Sequence, residues 1–305
     1  MLLRKLLITS GIVVLLSACA TTPDHPARDV TDRNEVEVRD SAAQLYLVEP
    51  LPADQNLEFE LLQLTELLYK AELDDEQRAQ LLHRRAMTFD YLGLPTLALV
   101  DINQALELKP GMAEAYHSLG IYYAQAGEYQ GAFEAFDSVI ELQPDHEFVY
   151  LNRGLAAYYN GQYELALGDF ADYYFQEPSD PFRVIWHYFA AYQLNPGRAY
   201  EQLTEQWEFA DGNAWGQMIL RFLVGEIDDE TLVMAAFENA SDQRELAYKL
   251  CEAYFYLGKV AAQQGLYYQA MNYFKLSLST NVFPYLEHRY ARTELNRVRD
   301  QLRVQ

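Results

Sequence analysis

Six histidines, two cysteines and a surplus of carboxylates are the side chains of this 305-residue chain that could do chemistry. A nucleophilic hydrolase sets its nucleophile beside a base, often on a glycine-flanked turn, and a zinc hydrolase needs ligands one helical turn apart. Neither Gly-x-Ser-x-Gly nor His-Glu-x-x-His occurs, and there is no phosphate loop or Gly-x-Gly-x-x-Gly turn. His25, His83, His117, His146, His187 and His288 are scattered. His83 and His117 stand 34 residues apart and so recur at one position of a repeat, as two polar residues of a shared surface. A metal site would need a third ligand, and none is evident. His117 and Ser118 are neighbours in sequence, which on a helix points them in different directions and excludes a dyad. Cys251 lies between apolar residues and reads as a buried structural thiol. The expectation is no catalytic residue, no metal, no cofactor and no enzyme activity.

Cys19 is a different case. Arg4 and Lys5 form a short positive start, and Leu6 to Leu16 is an apolar run too short to span a bilayer comfortably. It ends in Leu16-Ser17-Ala18-Cys19, which resembles the bacterial lipobox, where the cysteine thiol accepts a diacylglyceryl group before cleavage. Residues 1–18 are then a signal peptide and Cys19 is the lipidated first residue, its acyl chains giving a stable anchor. Ala20 stands where Asp resembles an inner-membrane retention signal, so the expected address is the outer membrane, facing the periplasm. Residues 19–55 are rich in proline and mixed charge and read as a tether with a root-mean-square reach of roughly 30 Å. Within it, Leu45, Tyr46, Leu47 and Val48 form an apolar cluster able to dock on the body or on a partner.

The rest is organised by a repeat. Gly93, Gly127 and Gly161 are 34 residues apart, as are Ala98, Ala132 and Ala166, and Pro110, Pro144 and Pro178. Period and residue types resemble the tetratricopeptide repeat, two antiparallel helices per unit, so the fold expected is an all-α helical solenoid. Three repeats fill residues 79–180, and a further one, two residues out of phase, fills 251–284. Residues 181–250 read as degenerate helical hairpins, with Asn195-Pro196-Gly197 ending one helix. An N-terminal helix at residues 56–78 carries Leu61, Leu64, Leu67 and Leu68 at helical spacing, with Asp74 as a cap before the repeats. That stripe either caps the array or pairs with a second copy of the chain. The closing helix, residues 285–305, is rich in arginine and reads as a solvated cap or a dock for an acidic partner.

Stacked first helices of such repeats line a concave groove. Its inward positions here are Gln80, His83, Met87 and Asp90 in the first repeat, Glu114, His117 and Ile121 in the second, and Phe148, Leu151, Leu155 and Tyr158 in the third. This surface is apolar with a few polar points and suits a peptide or a helix. The Lys, Asn and Arg set that clamps a terminal carboxylate in co-chaperone repeats is largely missing from it. Lys plus Arg number 23 against 45 Asp plus Glu, a net charge of −22, which works against nucleic-acid binding.

With lipobox and tether in place, the segments Leu73-Asp-Asp-Glu-Gln-Arg-Ala-Gln-Leu-Leu82, Tyr91-Leu-Gly-Leu94, Leu119-Gly-Ile-Tyr122, Ala135-Phe-Asp-Ser-Val139 and Leu151-Asn-Arg-Gly154 resemble the NlpI family of lipoproteins of gamma-proteobacteria. Asp180-Pro-Phe-Arg183, Phe255-Tyr-Leu-Gly-Lys259 and Glu287-His-Arg-Tyr-Ala291 extend the likeness through the degenerate middle. The resemblance implies a homodimeric outer-membrane adaptor that brings a periplasmic tail-specific protease together with peptidoglycan endopeptidases, controlling their turnover and thereby cell-wall growth and division. The competing readings are a lipoprotein subunit of an outer-membrane or pilus assembly machine and, less suited to so motif-poor a chain, a cell-wall lyase.

Overall fold

A computed structural model of the chain describes residues 46, 47 and 49–304. The signal peptide, Cys19 and most of the tether lie outside the described residues, as do Leu45 and Val48. Fourteen α-helices and one 3₁₀ turn (Trp207–Phe209) make up the described body, with no strand among the described residues. In order they are α1 (Gln55–Lys70), α2 (Asp75–Tyr91), α3 (Pro95–Leu108), α4 (Ala113–Ala126), α5 (Tyr129–Leu142), α6 (Val149–Tyr159), α7 (Tyr163–Gln176), α8 (Pro181–Leu194), α9 (Pro196–Gln206), α10 (Ala214–Leu223), α11 (Asp229–Glu238), α12 (Gln243–Gln263), α13 (Tyr267–Ser279) and α14 (Leu286–Val304).

The hairpins are made by one turn used five times. Gly93, Gly127, Gly161, Gly225 and Gly265 all have φ between 73° and 80°, the left-handed region that suits glycine. After each, the next N–H reaches back five residues: Leu94 to Phe89, Glu128 to Tyr123, Gln162 to Ala157, Glu226 to Arg221 and Leu266 to Ala261. This satisfies a carbonyl that the helix end would otherwise leave open. The first three turns and Gly265 follow from the repeat. The turn at Gly225, which folds α10 onto α11, has no counterpart at 34-residue spacing. Between α8 and α9 no glycine is used: Asn195 donates its N–H to Ala191 and accepts Arg198 N–H on its side chain, ending one helix and starting the next.

Inside each hairpin the two helices meet where the first is smallest. A Cβ added at Gly120, Gly154 or Gly258 would stand 2.6 Å, 2.7 Å and 2.6 Å from the rings of Phe136, Phe170 and Phe274, each 16 residues on. The first repeat carries Ala86 opposite Ile102 instead, both fully buried, so the smaller partner makes room for the methyl group. A second pair at the same 16-residue offset is ionic. Arg85 holds Asp101 through two hydrogen bonds of 2.6 Å and 2.8 Å, and Arg153 holds Asp169 through two of 3.0 Å and 2.7 Å. In the intervening repeat those positions are Leu119 and Ala135, an apolar substitute of the kind that often costs a buried pair nothing. Arg153 also reaches Asp137 on the preceding hairpin, 2.8 Å away, and ties successive repeats.

Three boundaries differ from the sequence reading. The N-terminal segment placed at 56–78 holds one helix and the start of the next: α1 ends at Lys70, and the expected Asp74 cap, in a reciprocal box with Gln77, starts α2 at Asp75, four residues before the repeat boundary at 79. The helix expected from Cys251 starts at Gln243, where the Asp242 side chain accepts Glu245 N–H, so α12 is 21 residues long. The tether, expected to run to residue 55, is already attached at Tyr46: its carbonyl accepts Tyr254 O–H at 2.6 Å, its ring meets Phe237 edge-on at 5.4 Å, and Leu51 N–H donates to Thr280 O at 3.0 Å. Of the docking options for the apolar cluster, Tyr46 takes the body.

Replacing Gly154 by alanine forces the methyl group against a fully buried ring and should destabilise the protein by about 1–3 kcal/mol. Gly168→Ala, on the exposed side of α7 with nothing within 4 Å, should stabilise it by about 1 kcal/mol through helix propensity alone. Thermal and urea denaturation of the two variants, which should move in opposite directions, checks this.

Candidate functional site

The expected groove residues divide into two sets. Those of the first and second repeats remain at least partly open except Asp90, which is buried, whereas the deeper positions of the third, Leu155 and Tyr158, are buried in the main core. Tyr158 packs on Tyr163 of α7 and Trp186 of α8, and the chain's own last helix lies over it. Rather than only covering the end of the array, α14 lies back along the concave side and reaches the first repeat. Arg289 pairs with Asp90 at the end of α2, and the same Asp90 accepts Tyr122 O–H from α4 at 2.7 Å. Tyr290 stacks on Tyr159 of α6 with ring centres 4.6 Å apart and planes within 3°. The loop before α14 contributes Phe283, whose ring covers Gly93.

Deeper still, Glu294 of α14 meets Lys259 of α12 at 2.5 Å and accepts Tyr159 O–H at 3.1 Å. Lys259 donates a second hydrogen bond to the Tyr158 hydroxyl oxygen at 2.8 Å and lies 5.0 Å from the Phe189 ring centre. Burial alone would depress the lysine and raise the glutamate, but each is the other's counter-charge. The outcome is a Lys259 held above its ordinary value and a Glu294 held below its own. Both therefore stay charged at neutral pH, as an ion pair almost wholly out of water.

A buried pair of carboxylates flanks the start of α14. Glu287 accepts Tyr256 O–H at 2.6 Å and Glu252 accepts the Trp215 indole N–H at 2.8 Å. Both carboxyls are raised, first by burial and in Glu252 also by the charge of Glu287. Neutralising the pair with a proton is the cheaper state there.

The open remainder of the concave face is histidine-rich. His83 Nε2 is 3.3 Å from Ser118 Oγ, and the Asn152 amide donates to His117 Nε2 at 3.0 Å. The ring of His146 lies 4.2 Å from that of His117, centre to centre. His146 was absent from the expected groove because it sits in the connection after α5, outside the helical positions that the repeat register predicts. Burial pushes the imidazole of His117 down to about 3, helped by the neighbouring His146, and lowers those of His83 and His146. These rings are neutral hydrogen-bonding groups at physiological pH. Around them, Gln80 and Glu114 are exposed, Met87 and Ile121 half-buried, and Phe148 is 40% exposed at the far rim. Among the described residues no three His, Cys, Asp or Glu side chains gather as a metal site. Cys251 is buried, its thiol 3.6 Å from Ser277 Oγ.

The N-terminal stripe also divides. Leu64 and Leu68 are spent on packing within the chain, Leu61 is half-buried and Leu67 is 47% exposed. The side of α1 turned to solvent carries Phe59, Leu62 and Tyr69, which the sequence reading did not single out.

Residues 113–146, the hairpin of α4 and α5, match the tetratricopeptide repeat family. Among solved structures the chain is similar to a tetratricopeptide repeat protein from Parabacteroides merdae, at 16% identity and a TM-score of 0.47, over 81% of this chain and 100% of that one. It is also similar to yeast Tom70, at 17% identity and a TM-score of 0.37, over 82% of this chain and 60% of that one. The matched repeat and the succession of hairpins on either side of it make the chain an all-α solenoid of the tetratricopeptide type.

Two outcomes are expected. Lys259→Met leaves Glu294 buried without its counter-charge and should cost about 3–5 kcal/mol in urea denaturation, most of it recovered when Glu294→Leu is added. For the carboxylate pair the sign is set by raised folded-state values. Their stabilising contribution is complete below the ordinary 4.5 and is lost as pH rises through the folded-state values, where a charge must be expelled from the core. Glu252→Gln keeps an acceptor for Trp215 and should melt progressively higher than the parent as pH is raised from about 5 to about 8. A constant difference across that range would show that the two carboxyls do not titrate within it.

Proposed function

We propose that this protein is a non-catalytic adaptor, anchored to the outer membrane through lipidated Cys19 and facing the periplasm, which brings a tail-specific protease together with peptidoglycan endopeptidases and so regulates their turnover. The carrying observation is the tetratricopeptide solenoid, a scaffold of protein–protein interaction, which presents apolar side chains that its own fold leaves uncovered: Phe59, Leu62 and Tyr69 on α1, and Phe175 and Phe209 further along. The resemblance to the NlpI lipoproteins in the quoted segments supports the choice of partners, and the lipobox supports the address. In such a role the rate gain comes from effective concentration: two proteins held on one rigid array meet far more often than at their bulk concentrations.

Because α14 fills the deep half of the concave face, the adaptor reading places partner contacts on two surfaces. One is the open histidine-lined half, from His83 and Met87 across to Phe148. The other is the exposed side of α1, through which two copies pair as a homodimer. Leu67 contributes to that contact, whereas Leu64 and Leu68 hold α1 on its own chain.

Incubating residues 20–305 with the periplasmic tail-specific protease and a peptidoglycan endopeptidase of the same organism should accelerate endopeptidase loss relative to a control lacking this chain. Leu62→Glu with Tyr69→Glu should halve the mass seen by light scattering, the substitutions lying on solvent-facing positions. An unchanged degradation rate, with neither enzyme co-purifying, would favour instead a structural lipoprotein subunit of an outer-membrane or pilus assembly machine.

A further inference from the structure

Beside the C-terminal half of α14 a cavity of about 370 Å³ opens where α6, α8, α12 and α13 converge on that helix. Its charged lining residues are Lys259, Arg297 and Glu294, two cations and one anion, in a chain whose net charge is −22. The anion is already satisfied: Glu294 is the partner of Lys259 and of Tyr159. The donors are not. An ammonium has three N–H groups, and Lys259 spends two, on Glu294 and on Tyr158. The side-chain nitrogen of Gln263, which lines the same cavity, is buried with no hydrogen-bond partner. A buried amide donor left in that state costs free energy that a ligand would return.

Arg297 completes the set. Among the described residues no carboxylate lies within ion-pairing distance of its guanidinium, which sits 5.5 Å and 6.0 Å from the ring centres of Tyr159 and Tyr158, with Glu294 acting on it only at longer range. In so acidic a protein a cation on a tyrosine shelf, beside a carboxylate whose ion pair is already made with Lys259, is available to an incoming anion. The geometry of the donors selects among anions. A guanidinium and an amide are planar and match a carboxylate. The net single positive charge of the lining suits a monoanion, and Glu294 would repel a phosphate dianion. The cavity is of a size to bury a small ligand or the end of a chain, with the rings of Tyr192 and Tyr267 beside it.

We propose that this cavity binds a carboxylate carried on a small apolar body, with Arg297 and Gln263 as its principal donors and the remaining proton of Lys259 beneath it. The carboxylate has two possible sources, a free amino-acid-sized acid and the C-terminus of a partner protein. The site stands apart from the adaptor reading, since it is defined by side chains that need no protein partner to be tested.

Residues 20–305 would be titrated with N-acetylphenylalanine, with N-acetyl-Ala-Ala-Phe as the free acid, and with the C-terminal amide of that tripeptide, by calorimetry and by following side-chain amide signals of the ¹⁵N-labelled chain. Both acids should bind and shift the Gln263 amide, and the amide peptide should bind at least about tenfold more weakly. Arg297→Gln should weaken the acids by about tenfold, and Gln263→Ala should weaken them without lowering the melting temperature, because it removes no hydrogen bond of the fold. Tighter binding of the tripeptide acid than of N-acetylphenylalanine identifies a chain terminus as the ligand; equal affinity identifies a free acid. Equal binding of acid and amide, no binding of either acid at millimolar concentration, or an Arg297→Gln variant with undiminished affinity overturns the proposal.

Discussion

An ammonium group taken out of water must be paired and hydrogen-bonded, and Lys259 meets that demand only if α14 is in place. Its counter-charge, Glu294, is on α14; its other acceptor, Tyr158, is on α6; the rings around it, Trp186 and Phe189, are on α8. One side chain on the longest helix of the body therefore binds together three hairpins and the closing helix. Without α14, Lys259 would stand charged in an apolar cleft lined by aromatic rings, and Tyr159 would lose the carboxylate that accepts its hydroxyl. Docking of the last helix is in this sense part of the same cooperative unit as the core of the C-terminal half, and the concave face cannot be emptied cheaply.

This explains why the arginine-rich end of an acidic chain is not simply a solvated cap. Arg289 crosses to Asp90, the far end of the first repeat, and Arg297 lies over two tyrosines, while Arg299 and Arg303 pair only within α14 or face water. The interior-facing basic residues are those at the helix positions that meet the concave surface. Charge of this kind specifies where a helix sits more than how tightly, because each pair sacrifices hydration for its contact. The stacking of Tyr290 on Tyr159 and the burial of Leu295 and Val298 supply apolar area that favours docking in its own right.

What the sequence made legible was whatever repeats locally. Glycine, alanine and proline columns at 34-residue spacing gave the hairpins of residues 79–180, and Gly258 with Phe274 carries the same 16-residue relation as Gly120 with Phe136, so α12 and α13 could be placed as a further unit. The Asp74 cap was visible for the same reason. The path of α14 was not, because its partners are distant in sequence: Arg289 and Asp90 are 199 residues apart, and Tyr159 and Glu294 are 135 apart. No periodicity within one helix reveals which surface it will meet. Gly225 escaped notice because its hairpin departs from the 34-residue register, although Asp228 and its acceptance of Thr231 N–H form an ordinary helix start just beyond it. His146 and the exposed face of α1 were missed on similar grounds, one lying in a connection and the other on the side of a helix opposite the stripe that attracts attention.

A solenoid closed by its own last helix differs in kind from one with a vacant groove. In an open array the concave face is the natural place for a peptide or helix to bind. Here an intramolecular helix holds the deep half of that face with ion pairs, stacked rings and apolar burial, and a competing helix would have to replace all of these while the displaced one kept a high effective concentration. The surfaces left for partners are then those the closure does not use: the shallow histidine-lined half, where neutral rings offer hydrogen bonds without charge, and the apolar side of α1. The closure has a further consequence at its edge. Where α14 meets α8 and α12, the helices do not pack flush, and tyrosine, glutamine and charged side chains are left around the gap. A body that fills its groove with its own chain thus still leaves a small polar cavity beside the helix that fills it.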